Sequence, residues 1–387
     1  MSSLVPMFPP ALLQADFTTR LKYFTDKAIV QHPKLDQLLD DIQCKTSFPT
    51  ARSVVLLVGP TGVGKSTLLK KLDARLNRQL SDDDKLLGRR ASIRVEVSPP
   101  KRGTFDFTHL DRIILQALDT PLVDMTRPIV DRQVASAVVR SVLVERDLRR
   151  AGEFALAQRR RRLVDSSKLL AILIDEAGAV FKTGRPRNER ERLNKLKDAA
   201  DLLKDLANST SATLVLSGAY DFFDLVQTSA QNARRSDIVH FDPYAADEKG
   251  MSGFAIALAN LLCHLPIKHS LRLEQHCLEL FMQSLGCVGV LSGLLAEALR
   301  ESIRRAGELA IEDVRRVYYP EAALTIMRAE LTSGMDRVKR LMTMGDRLPP
   351  APSPDPSHQT RPKGARRLKP GETSPSHMSD AAASWQT

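Results

Sequence analysis

The chain has 387 residues, 43% of them apolar, which is enough for more than one domain with a sizeable hydrophobic core. No apolar run is long enough to cross a bilayer, and the first apolar residues are interrupted by prolines, so neither a membrane span nor a secretory signal is expected. The four scattered cysteines predict no zinc site and no disulfide framework, which indicates a reduced, cytoplasmic setting. The net charge of +11 favours a polyanionic partner such as nucleic acid, although a solvated basic surface explains it equally well.

Strand and helix patterns alternate along the first two thirds of the chain. After helical spacing of leucines within residues 1–50, apolar or alternating runs predict strands at 53–58, 91–97, 169–174 and 213–217. Periodic patterns between them predict helices at 65–79, 108–118, 129–168 and 188–208. This order predicts an α/β fold in which a parallel sheet lies between helices.

The pattern changes at Asp242-Pro243, after which only helices are predicted. We therefore expect an N-terminal helical segment (1–50), an α/β core (51–243) and a small helical domain (244–335). Residues 336–387 are rich in proline, serine and basic residues, and they predict a mostly disordered tail.

A complete phosphate-binding loop follows the first predicted strand and precedes a helix: Gly59, Pro60, Thr61, Gly62, Val63, Gly64, Lys65, Ser66 and Thr67. Its glycines let successive backbone N–H groups point at phosphate oxygens, at a helix start that also favours anions. Lys65 is predicted to bind the β- and γ-phosphates, and the Ser66 hydroxyl to ligate Mg²⁺. A chance match is disfavoured by the strand before the loop and the helix after it. ATP and Mg²⁺ are therefore the predicted cofactors.

Two acidic residues follow the wholly apolar run at 169–174. Asp175 is predicted to hold Mg²⁺, and Glu176 to orient and deprotonate the attacking water. The alternative is that the two carboxylates only mark the end of a strand.

Two weaker signals follow. Ser217 ends a strand predicted to lie beside that of Asp175, where it would hold the water or the γ-phosphate, unless it is only a small turn residue before Gly218. Either Arg234 or Arg235 would reach the nucleotide of a neighbouring subunit as an arginine finger. The alternative for both arginines is a solvated helix end.

In this order, with a helical domain behind them, these motifs resemble the AAA+ ATPases, and within that class the TnsC/TniB family of ATP-dependent regulators of DNA transposition. Residues 29–33 are similar to the family's element against the adenine, which implies that His32 and Pro33 contact the base. Residues 214–220 resemble its strand ending in glycine and a polar or aromatic residue. Residues 232–241 resemble its arginine-finger segment, in which Arg235 is the better match and Arg234 the reserve. Residues 286–289 are similar to the start of a helix in its lid. The resemblance covers about residues 15–330.

The resemblance implies a P-loop AAA+ core with a C-terminal lid, and slow, regulatory ATP hydrolysis. It also implies subunits that assemble as a ring or filament on double-stranded DNA, contact a target-selection protein and recruit a transposase. The predicted DNA contacts are the basic pairs Lys101, Arg102 and Arg149, Arg150.

The sequence departs from the family pattern at two places. Ala177-Gly178 follows Glu176 where a polar residue is more usual, and no arginine follows Gly289. A P-loop switch that acts through protein partners without touching DNA is the alternative function. A small-molecule kinase is disfavoured because no substrate domain is evident.

Overall fold

The computed structural model describes residues 5–27, 31–48, 54–98, 105–119, 160, 164, 169–181, 189–209, 212–220, 236–305 and 307–343. Residues 1–340 form one compact unit, and everything below concerns that unit unless stated. Most of the predicted helical stretch at 129–168 lies outside the described residues. Residues 336–343, predicted as the start of the disordered tail, are instead the end of a helix, and the rest of that tail lies outside the described residues.

The described core is built on a five-stranded parallel sheet with the strand order β2-β3-β4-β1-β5. The strands are β1 Val54–Val58, β2 Ser92–Glu96, β3 Ala171–Asp175, β4 Thr213–Gly218 and β5 Ser236–His240. The central strands are apolar along their length because helices cover both faces of the sheet. The predicted parallel α/β fold is confirmed, but β5 was not predicted, since its polar residues at 236, 237 and 240 mask the strand pattern.

We number the helices of the described part in chain order. They are α1 Phe17–Lys22, α2 Pro33–Ser47, α3 Lys65–Arg78, α4 Asp82–Leu86, α5 Phe107–Asp119, α6 Glu189–Ser209, α7 Glu248–Cys263, α8 Leu273–Ser284, α9 Val288–Arg304, α10 Ile311–Arg316 and α11 Glu321–Thr343. No one of these helices is long and apolar enough to span a membrane. The two helical segments 275–284 and 288–304, which meet at an angle of 109°, are together long and apolar enough for a membrane span, by length and composition only.

One hydrophobic core, here called the sheet core, lies between the sheet and helices α2 and α3. The apolar stripe of α3 packs there against β1, β3 and β4, through residues such as Leu68, Leu72, Leu173 and Val215. The Asn77 side chain ties α3 to the edge strand β2, because its Oδ1 accepts the backbone N–H groups of residues 91 and 92 at 3.0 and 3.3 Å. The sheet core therefore holds α3, and with it the loop before α3, in a fixed place.

A second hydrophobic core, here called the lid core, is formed by α7–α10 together with Tyr244. Phe24 from the amino-terminal segment is also buried in it. The same segment bonds to α7 and the turn after it: Met7 donates its N–H to the Cys263 carbonyl at 2.8 Å, and Arg20 donates twice to the Pro266 carbonyl at 2.9 and 2.7 Å. The segment predicted as one unit over 1–50 is thus divided, with α1 on the lid core and α2 on the sheet core.

The last described helix, α11, also reaches the α/β part of the molecule. Gly334 lies so close to the ring of Tyr220, just after β4, that a Cβ atom at residue 334 would overlap the ring. The hydroxyl of Tyr220 pairs with Nε2 of His240 at the end of β5 at 3.2 Å.

Candidate functional site

The loop between β1 and α3 is shaped by its glycines, in two different ways. Gly62 and Gly64 have φ values of 78° and 117°, which residues with a Cβ atom rarely adopt. Gly59 has no positive φ, but it lies against the backbone of Phe241, where a Cβ would overlap the carbonyl oxygen. The predicted loop therefore depends on glycine for its curvature at two positions and for close packing at the third.

A cavity of about 240 Å³ opens at the amino terminus of α3. Its lining consists of Thr61, Gly62, Gly64, Lys65, Ser66, Thr67, Glu176, Ala219 and Gly289. The first N–H groups of a helix have no partner within the helix, and its dipole favours anions there. The structure thus brings six predicted loop residues together with Glu176. Sequence reasoning assigned no site role to Ala219, which has no functional side chain, and treated Gly289 only as part of a helix start.

The ammonium group of Lys65 is held by the loop itself. Its Nζ donates to the carbonyl oxygens of Gly59 and Pro60, both at 2.9 Å. Burial lowers the pKa of Lys65, and the negative charges of Glu176 and Asp175 oppose this shift. A cation with little water around it interacts strongly with an anion that enters the cavity.

Asp175 ends β3 and is buried. It lies on the same face of the sheet as Leu173, because side chains alternate along a strand, and Leu173 packs in the sheet core beneath α3. Its Oδ1 accepts the N–H of Glu176 at 3.1 Å, and its Oδ2 lies 3.6 Å from Nη1 of Arg94 on β2. Asp175 thus lies on the face of the sheet that is covered by α3, the helix that contains Ser66.

Glu176 has an unusual backbone for a residue with a side chain. Its φ is 52°, in the left-handed region. The residue is exposed, and it lines the cavity. Such a conformation costs on the order of 1 kcal/mol and is concentrated at functional sites. The turn after β3 therefore presents this carboxylate to the cavity at an energetic cost.

Ser66 lines the cavity, whereas Asp175 directly precedes a lining residue, Glu176, and is not itself in the lining. The oxygen donors of these two predicted ligands suit Mg²⁺. Ser66 supplies a hydroxyl and Asp175 a carboxylate, and Mg²⁺ prefers such oxygen ligands, completing its shell with phosphate oxygens and water. Among the described residues no group of three or more metal-binding side chains occurs, so a cage made only of protein ligands is absent from that part of the chain.

Ser217 lies beside these residues, as its strand position predicted. It follows Leu216, which pairs with Ile174 on β3, and it pairs with Leu57 on β1. Its hydroxyl is fully buried and has no hydrogen-bond partner in the described structure. An unpaired buried hydroxyl is costly, but Ser217 is not among the residues that line the cavity, so its contact with the water or the γ-phosphate remains a prediction.

His32 and Pro33 are not among the residues that line the cavity. His32 caps α2, where its Nδ1 accepts the N–H of Leu35 at 3.3 Å and lies 2.9 Å from the Tyr244 hydroxyl. Burial lowers the pKa of His32 to about 4, and the charges of Lys71 and Lys34 act in the same direction. A contact of His32 and Pro33 with the adenine remains a prediction.

Six other predicted site residues lie outside the described residues: Lys101, Arg102, Arg149, Arg150, Arg234 and Arg235. The arginine finger and the DNA contacts therefore remain predictions as well.

Comparison with known proteins agrees with this geometry. Residues 50–226 match the family described as AAA domain. Among solved structures, a Walker-type ATPase of Pyrococcus abyssi aligns with a TM-score of 0.43 and 16% identity, over 79% of this chain and 76% of that one. The ORC2 protein of Aeropyrum pernix, in ADPNP–ADP complexes, aligns with a TM-score of 0.43 and 14% identity, over 76% and 70%. These two likenesses are too distant to carry an argument, and no curated protein matches the sequence. The sheet, the loop and the family match make the core a P-loop AAA fold.

Proposed function

We propose that this chain is an ATP-hydrolysing, DNA-binding AAA+ ATPase that assembles on target duplex DNA and links target selection to transposase recruitment. The observation that carries the ATPase part is the cavity at the start of α3, which joins the loop of residues 59–67 to Glu176. The DNA and transposition parts are supported by the net charge of +11 and by the resemblance over residues 15–330.

The chemistry follows from the residues at the cavity. Lys65 and the backbone N–H groups at the start of α3 bind the β- and γ-phosphates, and the phosphate oxygens replace the carbonyls that now accept from Lys65. Glu176 orients a water molecule and accepts its proton as the water attacks the γ-phosphate. Ser66 and Asp175 would hold Mg²⁺, which when bound neutralises charge on the phosphate oxygens.

The substitution Glu176→Gln tests the ATPase part. The amide cannot accept the proton of the water, so the variant should bind labelled ATP with unchanged affinity and lose most of its turnover. Glu96→Gln is the matched control, because Glu96 is exposed and does not line the cavity. It lies at the end of β2, in register with Asp175 on the neighbouring strand β3. Hydrolysis at the normal rate by Glu176→Gln would exclude Glu176 as the general base.

Mixing two inactive variants tests assembly. Arg235→Ala removes the predicted finger and Lys65→Ala removes the predicted phosphate contact. In mixtures, some interfaces join an intact site to an intact finger. Partial recovery of ATPase activity is expected, and no recovery in a mixture that assembles normally would contradict a finger acting between subunits.

Salt dependence distinguishes DNA binding from the alternative, a P-loop switch acting only through protein partners. Phosphate contacts release counterions, so duplex affinity measured with ATP should fall steeply with salt, and about equally on unrelated sequences. The double variant Lys101→Ala, Arg102→Ala should flatten the slope of log affinity against log salt by roughly one to two. Absence of salt-dependent duplex binding with ATP present would favour the switch.

A further inference from the structure

Before α7 begins, two described parts of the chain have residues in both hydrophobic cores. Phe24 lies in the lid core and Leu35, eleven positions later, lies in the sheet core. The chain returns at residues 241–245, here called the linker, since Phe241 belongs to the sheet core and Tyr244 to the lid core. These two stretches connect the two cores, and the start of α9 also packs in the sheet core.

The first turn of α2 binds the linker through two side chains. The Nδ1 atom of His32 accepts a hydrogen bond from the N–H of Leu35, so this nitrogen is unprotonated. The Tyr244 hydroxyl, 2.9 Å away, is therefore the donor in its hydrogen bond with Nδ1. Nζ of Lys34 donates to the Pro243 carbonyl at 2.8 Å and to the Asp242 carbonyl at 3.3 Å. The same ammonium lies 3.0 Å from the Asp242 carboxylate and 4.9 Å from the centre of the Tyr244 ring. These contacts hold three successive linker residues.

The lid holds the linker from the other side. Tyr244 donates its backbone N–H to the Gly286 carbonyl at 3.0 Å. Gly286 and Gly253 both approach Tyr244 so closely that a Cβ atom at either position would overlap it. The side chain of Asn260 on α7 donates to the Gln31 carbonyl at 2.7 Å, next to the α2 cap. Tyr244 is thus fixed between α2 and the lid.

The lid in turn meets the phosphate cavity. Four residues after Gly286, Val290 donates its N–H to the Gly62 carbonyl at 3.0 Å. Gly289, which lines the cavity, lies against the Gly62 backbone, where a Cβ atom would overlap the carbonyl oxygen. The linker, Gly286 and the start of α9 therefore form a continuous series of contacts that ends at the phosphate-binding loop.

We infer that His32, Lys34 and Tyr244 are positioning residues that clamp the linker and so hold the start of α9 against the phosphate cavity. The link to nucleotide affinity rests on the proposed function, whereas the clamp itself is a property of the protein without nucleotide. If these side chains only filled the core, their substitution would change the melting temperature and leave the orientation of the lid unchanged. The clamp predicts that the orientation itself is lost.

Distances between spin labels on the core and the lid test this inference in nucleotide-free protein. The labels are placed on cysteines introduced at two exposed positions, Gln79 at the end of α3 and Leu278 on α8, in a background without Cys44, Cys263 and Cys277. Tyr244→Phe removes only the hydroxyl, and Lys34→Met removes only the charge and its hydrogen bonds. Each should broaden the distance distribution relative to the parent.

Tyr220→Phe is the matched control, because Tyr220 is a buried tyrosine that also pairs with a histidine, but within the α/β part. It should leave the distribution unchanged. His32→Asn is a further arm, because asparagine retains the helix cap but is too short to reach the Tyr244 hydroxyl. It should behave like Tyr244→Phe.

A second readout connects the clamp to the cavity. Affinity for ADP should fall about five-fold in Tyr244→Phe and Lys34→Met, the usual loss for one hydrogen bond. Unchanged distance distributions in both variants, with cooperative melting of both, would overturn the clamp. Wild-type protein that bound no ADP would refute the proposed nucleotide function instead, and the distance comparison would still decide the clamp.

Discussion

The phosphate-binding loop and the linker at 241–245 are both held by close backbone packing against glycine, yet they differ in how the sequence encodes them. The loop carries its phosphate-binding residues within 59–67, and its lysine is held by a local contact, that between Lys65 and Gly59, six positions apart. The linker depends on partners from far along the chain, with 212 positions between His32 and Tyr244. Local motifs thus reveal where phosphate chemistry is placed, whereas the parts that orient the site are assembled from distant residues.

The largest effect is expected at the loop. Lys65→Ala removes the cation from the cavity and should weaken ATP binding by about a hundredfold or more, because charge-assisted contacts to phosphate have no replacement there. Lys70→Ala, an exposed lysine on the same helix, is the control and should bind normally. Isothermal titration measures both. Equal affinities would mean that the loop does not bind phosphate through Lys65.

The contact between His32 and the linker should make the free energy of unfolding depend on pH. The pKa of His32 falls from 6.5 in the unfolded chain to about 4 in the fold, so between these values only the unfolded chain takes up the proton. The stability due to neutral His32 is therefore complete above pH 6.5 and is lost as the pH falls to about 4, by on the order of 3 kcal/mol. The charged and titratable groups around it, from α2, α3 and the linker, are Lys34, Asp36, Lys71, Asp242 and Tyr244.

Urea unfolding of wild type and His32→Asn at several pH values measures this contribution. The surrounding groups are present in both proteins, so their own titration largely cancels in the difference. The stability advantage of the wild type should shrink as the pH falls below 6.5. An advantage that stays constant down to about pH 4 would contradict a neutral, hydrogen-bonded His32.

A smaller effect is expected where the two regions meet. Gly289→Ala places a methyl group against the Gly62 carbonyl and should cost about 1–3 kcal/mol of unfolding free energy and reduce ADP affinity. Gly293→Ala lies on the same helix with open space around it, and it should instead stabilise the protein by up to about 1 kcal/mol. Thermal melts compare the two. Similar stabilisation by both substitutions would show that α9 does not press on the loop.

The smallest change in stability is expected for Ser217→Ala. The hydroxyl is buried without a partner in the described structure, so its removal should leave the unfolding free energy within about 1 kcal/mol of the wild type. ATP turnover should nevertheless fall if the hydroxyl serves the γ-phosphate or the water. A large loss of stability would point to a structural partner for Ser217 instead.

The sequence was sufficient for the parts whose chemistry is local. The loop, the parallel sheet and the place of Ser217 beside the strand of Asp175 followed from strand patterns and motif order, and the structure agrees with them. The strand β5 was missed because a half-exposed edge strand carries polar residues. His32 was interpreted only through the adenine element, since nothing near it in the sequence indicates Tyr244. Contacts of this length follow from the packing of two cores, which no local pattern encodes.

The division of the amino-terminal segment between two cores has a consequence for biosynthesis. Arg20 and the Pro266 carbonyl to which it bonds are 246 positions apart, and Phe24 is buried by helices α7–α10. At a translation rate of about 5–20 residues per second, the segment leaves the ribosome tens of seconds before its binding surface exists. During that time Phe24 lacks the surface that buries it in the folded protein. The lid core is thus completed by a segment that is synthesised long before helices α7–α10, and its folding waits until those helices have been made.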